Sequence, residues 1–193
     1  MPRGEVKRAL RERQILDAAY VELRAQGYVA MSMDDVARAC GIGKATLYQH
    51  FSSKDELVVA VIVDTMLSAE RLHDEIPADL PALERLSRVL LVGVERRTSV
   101  APIHIAQIPD SISHHPAFQA QMARMFGQMA ALIEEGKARG EVRQDIDTRM
   151  IVAHLMNTFG PGLDVGAERV GCTPRALAEQ WMPLVLGGLG ARA

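Results

Sequence analysis

The stretch Ser32–Lys54, SMDDVARACGIGKATLYQHFSSK, decides how this chain is read. Ser32 has the side chain of a helix N-cap, and Asp34 and Asp35 follow where carboxylates favour the positive end of a helix dipole. Val36, Ala37 and Cys40 supply that helix with a buried side. Gly41 ends it, because a chain leaving a helix turns left-handed with least strain at glycine. A second short helix follows over 44–50, with Leu47 and Phe51 directed inward by their i, i+4 spacing. Lys44, Thr46, Tyr48, Gln49 and His50 are then left largely outward, a set rich in hydrogen-bond donors and free of acid. A polar, acid-free face on a short second helix after a glycine turn points to the recognition helix of a helix-turn-helix.

Upstream, Ile15, Ala18, Ala19 and Leu23 recur at helical spacing and predict a first helix over about 5–26, stopped by Gly27. Downstream, Ser53 opens a long helix with Asp55 and Glu56 in its first turn, running to about Glu75 before Ile76-Pro77. Leu83, Leu86, Leu90 and Val94 share a face of the next helix. A short apolar segment, Ile103–Ile108, lies between two prolines, and residues 110–115 look like a loop. Pro116 stands where an N1 proline belongs, ahead of a stripe of Phe118, Met122, Met125, Met129 and Leu132. Asp147 caps a helix to about Phe159, a loop is expected through Gly171, and Thr173-Pro174 starts a last helix. No stretch alternates as a strand does. The expectation is an all-α fold of about nine helices, three forming an N-terminal head and one linking it to five in a C-terminal body.

Composition agrees with this. The 193 residues are 48% hydrophobic and only 4% aromatic, with ten Met, so the apolar content is of a helix-favouring kind. Two separated cysteines, Cys40 and Cys172, suit a reducing compartment, and a cytoplasmic location is expected. No signal peptide or apolar run of membrane-spanning length is present, so no membrane partner is expected. Net charge is −2, with nine basic against eight acidic residues up to Glu56 and 13 against 16 beyond it. The sharper feature is the basic start, Arg3, Lys7, Arg8, Arg11 and Arg13 against Glu5 and Glu12, which suits contact with DNA phosphates or a solvated helix turn equally. Nucleophile elbows, Walker loops and dinucleotide glycine sets are missing, so neither an enzyme nor a cofactor is expected. His114-His115 beside Asp110 has no third ligand at matching spacing, so no metal is expected.

ILDAA at Ile15–Ala19, Gly27-Tyr28, SMDDVARACGIGKATLYQHF from Ser32, and the SKDEL that follows closely resemble the DNA-binding domain of TetR-family transcriptional regulators. The resemblance covers about fifty residues. It implies a helix-turn-helix DNA-binding domain at 1–52 and an effector-binding and dimerisation domain at 53–193. It implies that Lys44, Ala45, Thr46, Gln49 and His50 lie on or near the major groove, and that Ser32, Tyr48, His50 and Lys54 meet backbone phosphates. The family's usual Ser or Thr cap of the recognition helix is here Gly43, which gives up one phosphate contact. The resemblance further implies a homodimer on a palindromic operator, paired through the last two long helices, with Trp181, Met182, Val185 and Leu189 at the interface. It implies a small-molecule effector of unknown identity whose binding releases the DNA, as for a ligand-responsive repressor. Candidate lining residues are Met66, Val94, Ile103, His104, Phe118, Met122, Met125, Phe126, Met129, His154 and Asn157, since methionine suits an adaptable apolar site. Two other readings stay open: a DNA-binding regulator without a small ligand, and a small-molecule binding protein or enzyme with a vestigial head.

Overall fold

A computed structural model of the chain describes residues 3–100, 109–160 and 162–191, which form ten helices. In order these are α1 (Arg3–Ala30), α2 (Met33–Ala39), α3 (Lys44–His50), α4 (Lys54–Asp74), α5 (Ala82–Val100), α6 (Asp110–Ser113), α7 (Pro116–Ala138), α8 (Thr148–Thr158), α9 (Gly162–Val170) and α10 (Pro174–Leu189). Among the described residues there is no strand, only an isolated antiparallel bridge between Val142 and Gly190. The all-α expectation holds, with one helix more than about nine.

The chain divides into two compact units. The first comprises Met1–Met66 with Val100–Ala120, and so contains α1–α3, most of α4, α6 and the start of α7. In it Ile15, Leu23, Val36, Leu47 and Leu57 are buried side chains, each on the inward stripe of its own helix. α2 packs against both α1 and α3. Gly27 breaks α1 with a left-handed φ of 74°, as expected of the residue after Gln26, but the chain then makes one more helical turn, Tyr28–Ala30. A bifurcated ion pair, Arg13 Nη1 to both Asp64 oxygens at 2.9 and 3.0 Å, ties α1 to α4.

The second unit comprises Leu67–Ser99 and Gln121–Ala193. Its core gathers Leu86, Leu90 and Val94 from α5, Met129, Leu132 and Ile133 from α7, and the inward faces of α8, α9 and α10. The segment expected to be a loop, 160–171, contains α9, because Leu163 and Ala167 are one turn apart and both bury. α6 is a four-residue helix in the other expected loop, with Ile112 fully buried. The link between α7 and α8 is built by polar groups. Lys137 Nζ donates to the Ile146 carbonyl at 2.7 Å and to Thr148 Oγ1 at 2.9 Å, and Glu141 accepts from the Ala82 N–H at the start of α5. The end of α10 is clasped to this link by main-chain bonds, Arg143 N–H to the Leu189 carbonyl at 2.9 Å and Ala191 N–H to the Glu141 carbonyl at 3.0 Å.

Candidate nucleic-acid interface

The helix-turn-helix is assembled by end-caps. Ser32 Oγ accepts from Asp35 N–H at 3.2 Å and donates to the Asp35 carboxylate at 2.5 Å, which holds that carboxyl below its ordinary range. At the other end of α2, Gly41 adopts φ 64°. Ile42 N–H then reaches the Ala37 carbonyl at 3.0 Å and Gly41 N–H the Arg38 carbonyl at 3.1 Å, the paired bonds of a Schellman ending. Gly43 begins α3 at φ −70°, ψ 148° with no side-chain cap bond, so the weak cap foreseen from the sequence is present. α3 seats on the fully buried Leu47 and is followed by buried Phe51.

With those two anchors inside, Lys44, Ala45, Tyr48 and Gln49 are exposed and Thr46 is half-buried. Lys44 Nζ pairs with Asp34 of α2 at 2.8 Å, both side chains more than half exposed, an ion pair that water screens. His50 departs from its outward expectation: its side chain is only 12% exposed, and Nδ1 lies 3.2 Å from Glu12 Oε1 of α1. The carboxylate that meets it is held below its ordinary range, first by the Arg8 guanidinium at 2.9 Å and then by His50.

Lys54, at the start of α4, is half-buried. Its ammonium donates to the Val29 carbonyl at 3.3 Å and stands 4.4 Å from the centroid of the Tyr28 ring. The Tyr28 hydroxyl donates to Asp55 Oδ1 at 2.5 Å, and this bond pushes the phenol up to about 12. The Asp55 carboxyl is held low, first by the Ser111 hydroxyl of α6 and then by Tyr28. Ser53 Oγ accepts from Glu56 N–H at 3.1 Å while the Glu56 carboxylate accepts from Ser52 N–H at 2.7 Å, two bonds that fix the start of α4. Sequence reasoning missed Glu12 and Tyr28 as partners of His50 and Lys54. Nothing in local spacing brings residues 38 and 26 positions apart together, though an aromatic just after a helix-stopping glycine was the available sign for Tyr28.

The body candidates scatter. Val94 and Met129 belong to one buried core, Phe118 is buried, and Met66, Met122 and Met125 are half-buried. Phe126 is exposed, and His154 and Asn157 lie on the exposed side of α8. Ile103 and His104 lie outside the described residues. A buried polar residue went unforeseen: Gln121, 4% exposed, donates to Glu70 Oε1 at 2.8 Å. It follows Phe118 by three positions and so shares its face of α7.

The four residues expected at a dimer interface divide between the core and the surface of this chain. Met182 and Leu189 are buried within the chain's own core, because with Leu186 they form the inward stripe of α10. Val185 is half-buried against that core, and Trp181 is 38% exposed. The apolar groups presented outward are Trp181 and Leu184 of α10, the latter 75% exposed, and Met150 of α8, 67% exposed.

Among the described residues no three His, Cys, Asp or Glu side chains are placed to share an ion, and no helix is long and apolar enough to cross a membrane. His114 Nδ1 faces the Asp110 carbonyl at 2.9 Å, whereas His115 Nδ1 accepts from the Ala117 N–H at 3.2 Å, so the adjacent pair serves two separate turns.

Residues 15–61 match the family described as bacterial regulatory proteins, tetR family. The chain is 26% identical over 195 residues to the HTH-type transcriptional repressor KstR2 of Mycolicibacterium smegmatis, an alignment covering 94% of this chain and 91% of that protein. Among solved structures it resembles the fatty acid degradation regulator FadR from Bacillus halodurans, with a TM-score of 0.78 at 19% identity over 94% of this chain and 97% of that one. It resembles equally the FadR of Bacillus subtilis solved in complex with stearoyl-CoA, with a TM-score of 0.76 at 18% identity over 92% of this chain and 98% of that one. The matched segment spans the turn, the caps and the start of α4 described above, and the likeness in fold extends through the body. Residues 15–61 are thus a DNA-binding domain of the tetR family of bacterial regulatory proteins, in a chain similar along its length to DNA-binding transcriptional regulators.

Proposed function

We propose that this protein is a cytoplasmic, non-enzymatic repressor that binds a palindromic operator as a homodimer and releases it on binding a small-molecule effector. Residues 1–52 read DNA and residues 53–193 sense and dimerise. The observation that carries the reading is α3: Leu47 is anchored inside while Lys44, Ala45, Tyr48 and Gln49 are exposed, with the ammonium of Lys54 fixed beside the start of α4. Lys44, Ala45, Thr46 and Gln49 enter the major groove, where glutamine addresses adenine through two bonds. Ser32, Tyr48, His50 and Lys54 take phosphates and set the register.

A two-fold operator needs two recognition helices about 34 Å apart, hence a two-fold protein. The outward apolar set Met150, Trp181 and Leu184 supplies the pairing face. An acyl-chain effector is supported by the stearoyl-CoA bound to the B. subtilis regulator of the same fold and by the methionines of α7, of which Met122 and Met125 are half-buried. Fatty acyl-CoA thioesters are therefore the first probes. Effector binding shifts the population towards dimers with wrongly spaced recognition helices.

The test is a duplex selected by the protein from a random-sequence pool, challenged with stearoyl-CoA, free coenzyme A and stearate. A palindromic selected site released by stearoyl-CoA alone is the expected result, and failure to select any duplex defeats the reading. Burial of Val94 and Met129 in the core favours the other reading, a regulator without a small ligand, and a selected site that no acyl-CoA releases would support it.

A further inference from the structure

Lys44 and Lys54 both offer an ammonium to DNA, but they are held in opposite ways. Lys44 is paired with the Asp34 carboxylate, a partner that neutralises it and must be surrendered when a phosphate arrives. Lys54 makes no ion pair of that kind among the contacts described above; the neighbouring Asp55 carboxylate feels its charge through space, while its own hydrogen bonds come from Ser111 and Tyr28. Its charge lies against the face of the Tyr28 ring, 4.4 Å from the centroid, and one N–H goes to the Val29 carbonyl at 3.3 Å. A ring face attracts a cation through its quadrupole without occupying a hydrogen-bond donor. An ammonium carries three donors, so two remain for phosphate oxygens.

The ring is itself fixed. Gly27, with its left-handed φ of 74°, turns the chain out of α1 and places Tyr28 on the short turn that follows. The Tyr28 hydroxyl is then tethered to Asp55 at 2.5 Å, and Ser111 of α6 holds the same carboxylate. Four lysine torsions are thus restrained before DNA is met, which removes part of the ordering cost of association.

We propose that Tyr28 is the positioning residue for the phosphate contact of Lys54, its tethered ring holding the ammonium in place ahead of DNA. The inference rests on the assignment of Lys54 to a backbone phosphate. A purely structural role for Tyr28 would weaken DNA binding whether or not Lys54 is present, so the deciding experiment is a double-mutant cycle. Wild type, Tyr28→Leu, Lys54→Gln and the double variant are titrated against the duplex selected by the wild-type protein, across a salt series. Tyr28→Leu is expected to weaken binding about fivefold when Lys54 is present and less than about twofold when it is Gln. Its salt slope should fall towards that of Lys54→Gln, which loses about one phosphate contact. Tyr28→Phe, which keeps the ring but loses its tether to Asp55, should bind between wild type and Tyr28→Leu. Equal losses from Tyr28→Leu in both backgrounds overturn the proposal.

A second measurement needs neither variant nor DNA. In the free wild-type protein the Lys54 ε-methylene protons should resonate upfield of ordinary lysine values because they lie over the ring, and unshifted resonances overturn the proposal. A wild-type protein that selects no duplex would defeat the phosphate assignment instead, leaving the ring-current result to judge the Tyr28–Lys54 geometry.

Discussion

Tyr28 shows how much a single side chain can organise. Its hydroxyl bond to Asp55 raises the phenol to about 12, so the neutral form is the one the fold favours. The stabilisation is fully present below the unfolded tyrosine value of about 10 and is lost as pH rises from there through about 12. An ultraviolet titration should accordingly show one tyrosine ionising late, and Tyr28→Phe should remove that late component. At this scale the sequence was an uneven guide. Leu47, Phe51 and Val36 were placed inside by spacing alone, and all three are buried. His50 was placed outside by the same rule, yet it lies against Glu12. Periodicity assigns a residue to a face of its own helix. Whether another helix covers that face is a long-range fact that spacing does not carry.

At the scale of the element, caps were the most legible feature. Ser32, Asp147 and Thr173 were each read as N-caps, and each accepts from a backbone N–H at the start of its helix, with Oγ1 of Thr173 at 3.2 Å from Ala176 N. Asp147 is held down to about 2, first by its bond with the Arg149 side chain and then by the Arg149 N–H. A lowered carboxyl stabilises above its unfolded value, so the start of α8 should loosen as pH falls from about 3.8 towards about 2. Hydrogen exchange at the first turn of α8 measures this, and Asp147→Asn, which still caps, should flatten the dependence. Gly43 offers the complementary change. A Cβ there meets nothing within 4 Å, and the backbone is one any residue adopts. Gly43→Ser should therefore keep the fold, gain a few tenths of a kcal/mol in helix capping and tighten operator binding slightly; unchanged or weaker binding counts against the interface. What escaped reading were short elements. α6 and α9 carry too few periods to rise above the turn signals of Pro109 and of Gly160-Pro161-Gly162 beside them.

For the whole molecule, the informative contrast lies around the circumference of α10. Met182 and Leu184 are both large and apolar, but one faces the core and the other does not. Met182→Ala should cost about 2–5 kcal/mol of stability in a denaturant melt. Leu184→Asp should leave monomer stability within about 0.5 kcal/mol, as expected of an exposed site, while sedimentation shifts from dimer to monomer at micromolar concentration. If Leu184→Asp sediments as wild type does, the pairing face is elsewhere. The breadth of the apolar surface on this helix was visible in the sequence. Which part of it faces inward was not, because that depends on how α9 and α10 pack together. The matched family segment, 15–61, ends before α5, so motifs guided the reading of the head and left the body to periodicity.

The clasp between the α7–α8 link and the end of α10 has a further consequence in polymer terms. Two main-chain bonds, from Arg143 to Leu189 and from Ala191 to Glu141, close the intervening chain into a ring that contains α8, α9 and α10. The entropy of closing such a ring grows only with the logarithm of its length, so residues added between α8 and α9 would tax it little. Its bonds are drawn from the backbone, so most substitutions at Arg143 and Ala191 leave them intact, and proline, which lacks the donor, does not. The exposed faces of α8 and α10 are thereby kept in register by bonds that side-chain chemistry does not encode.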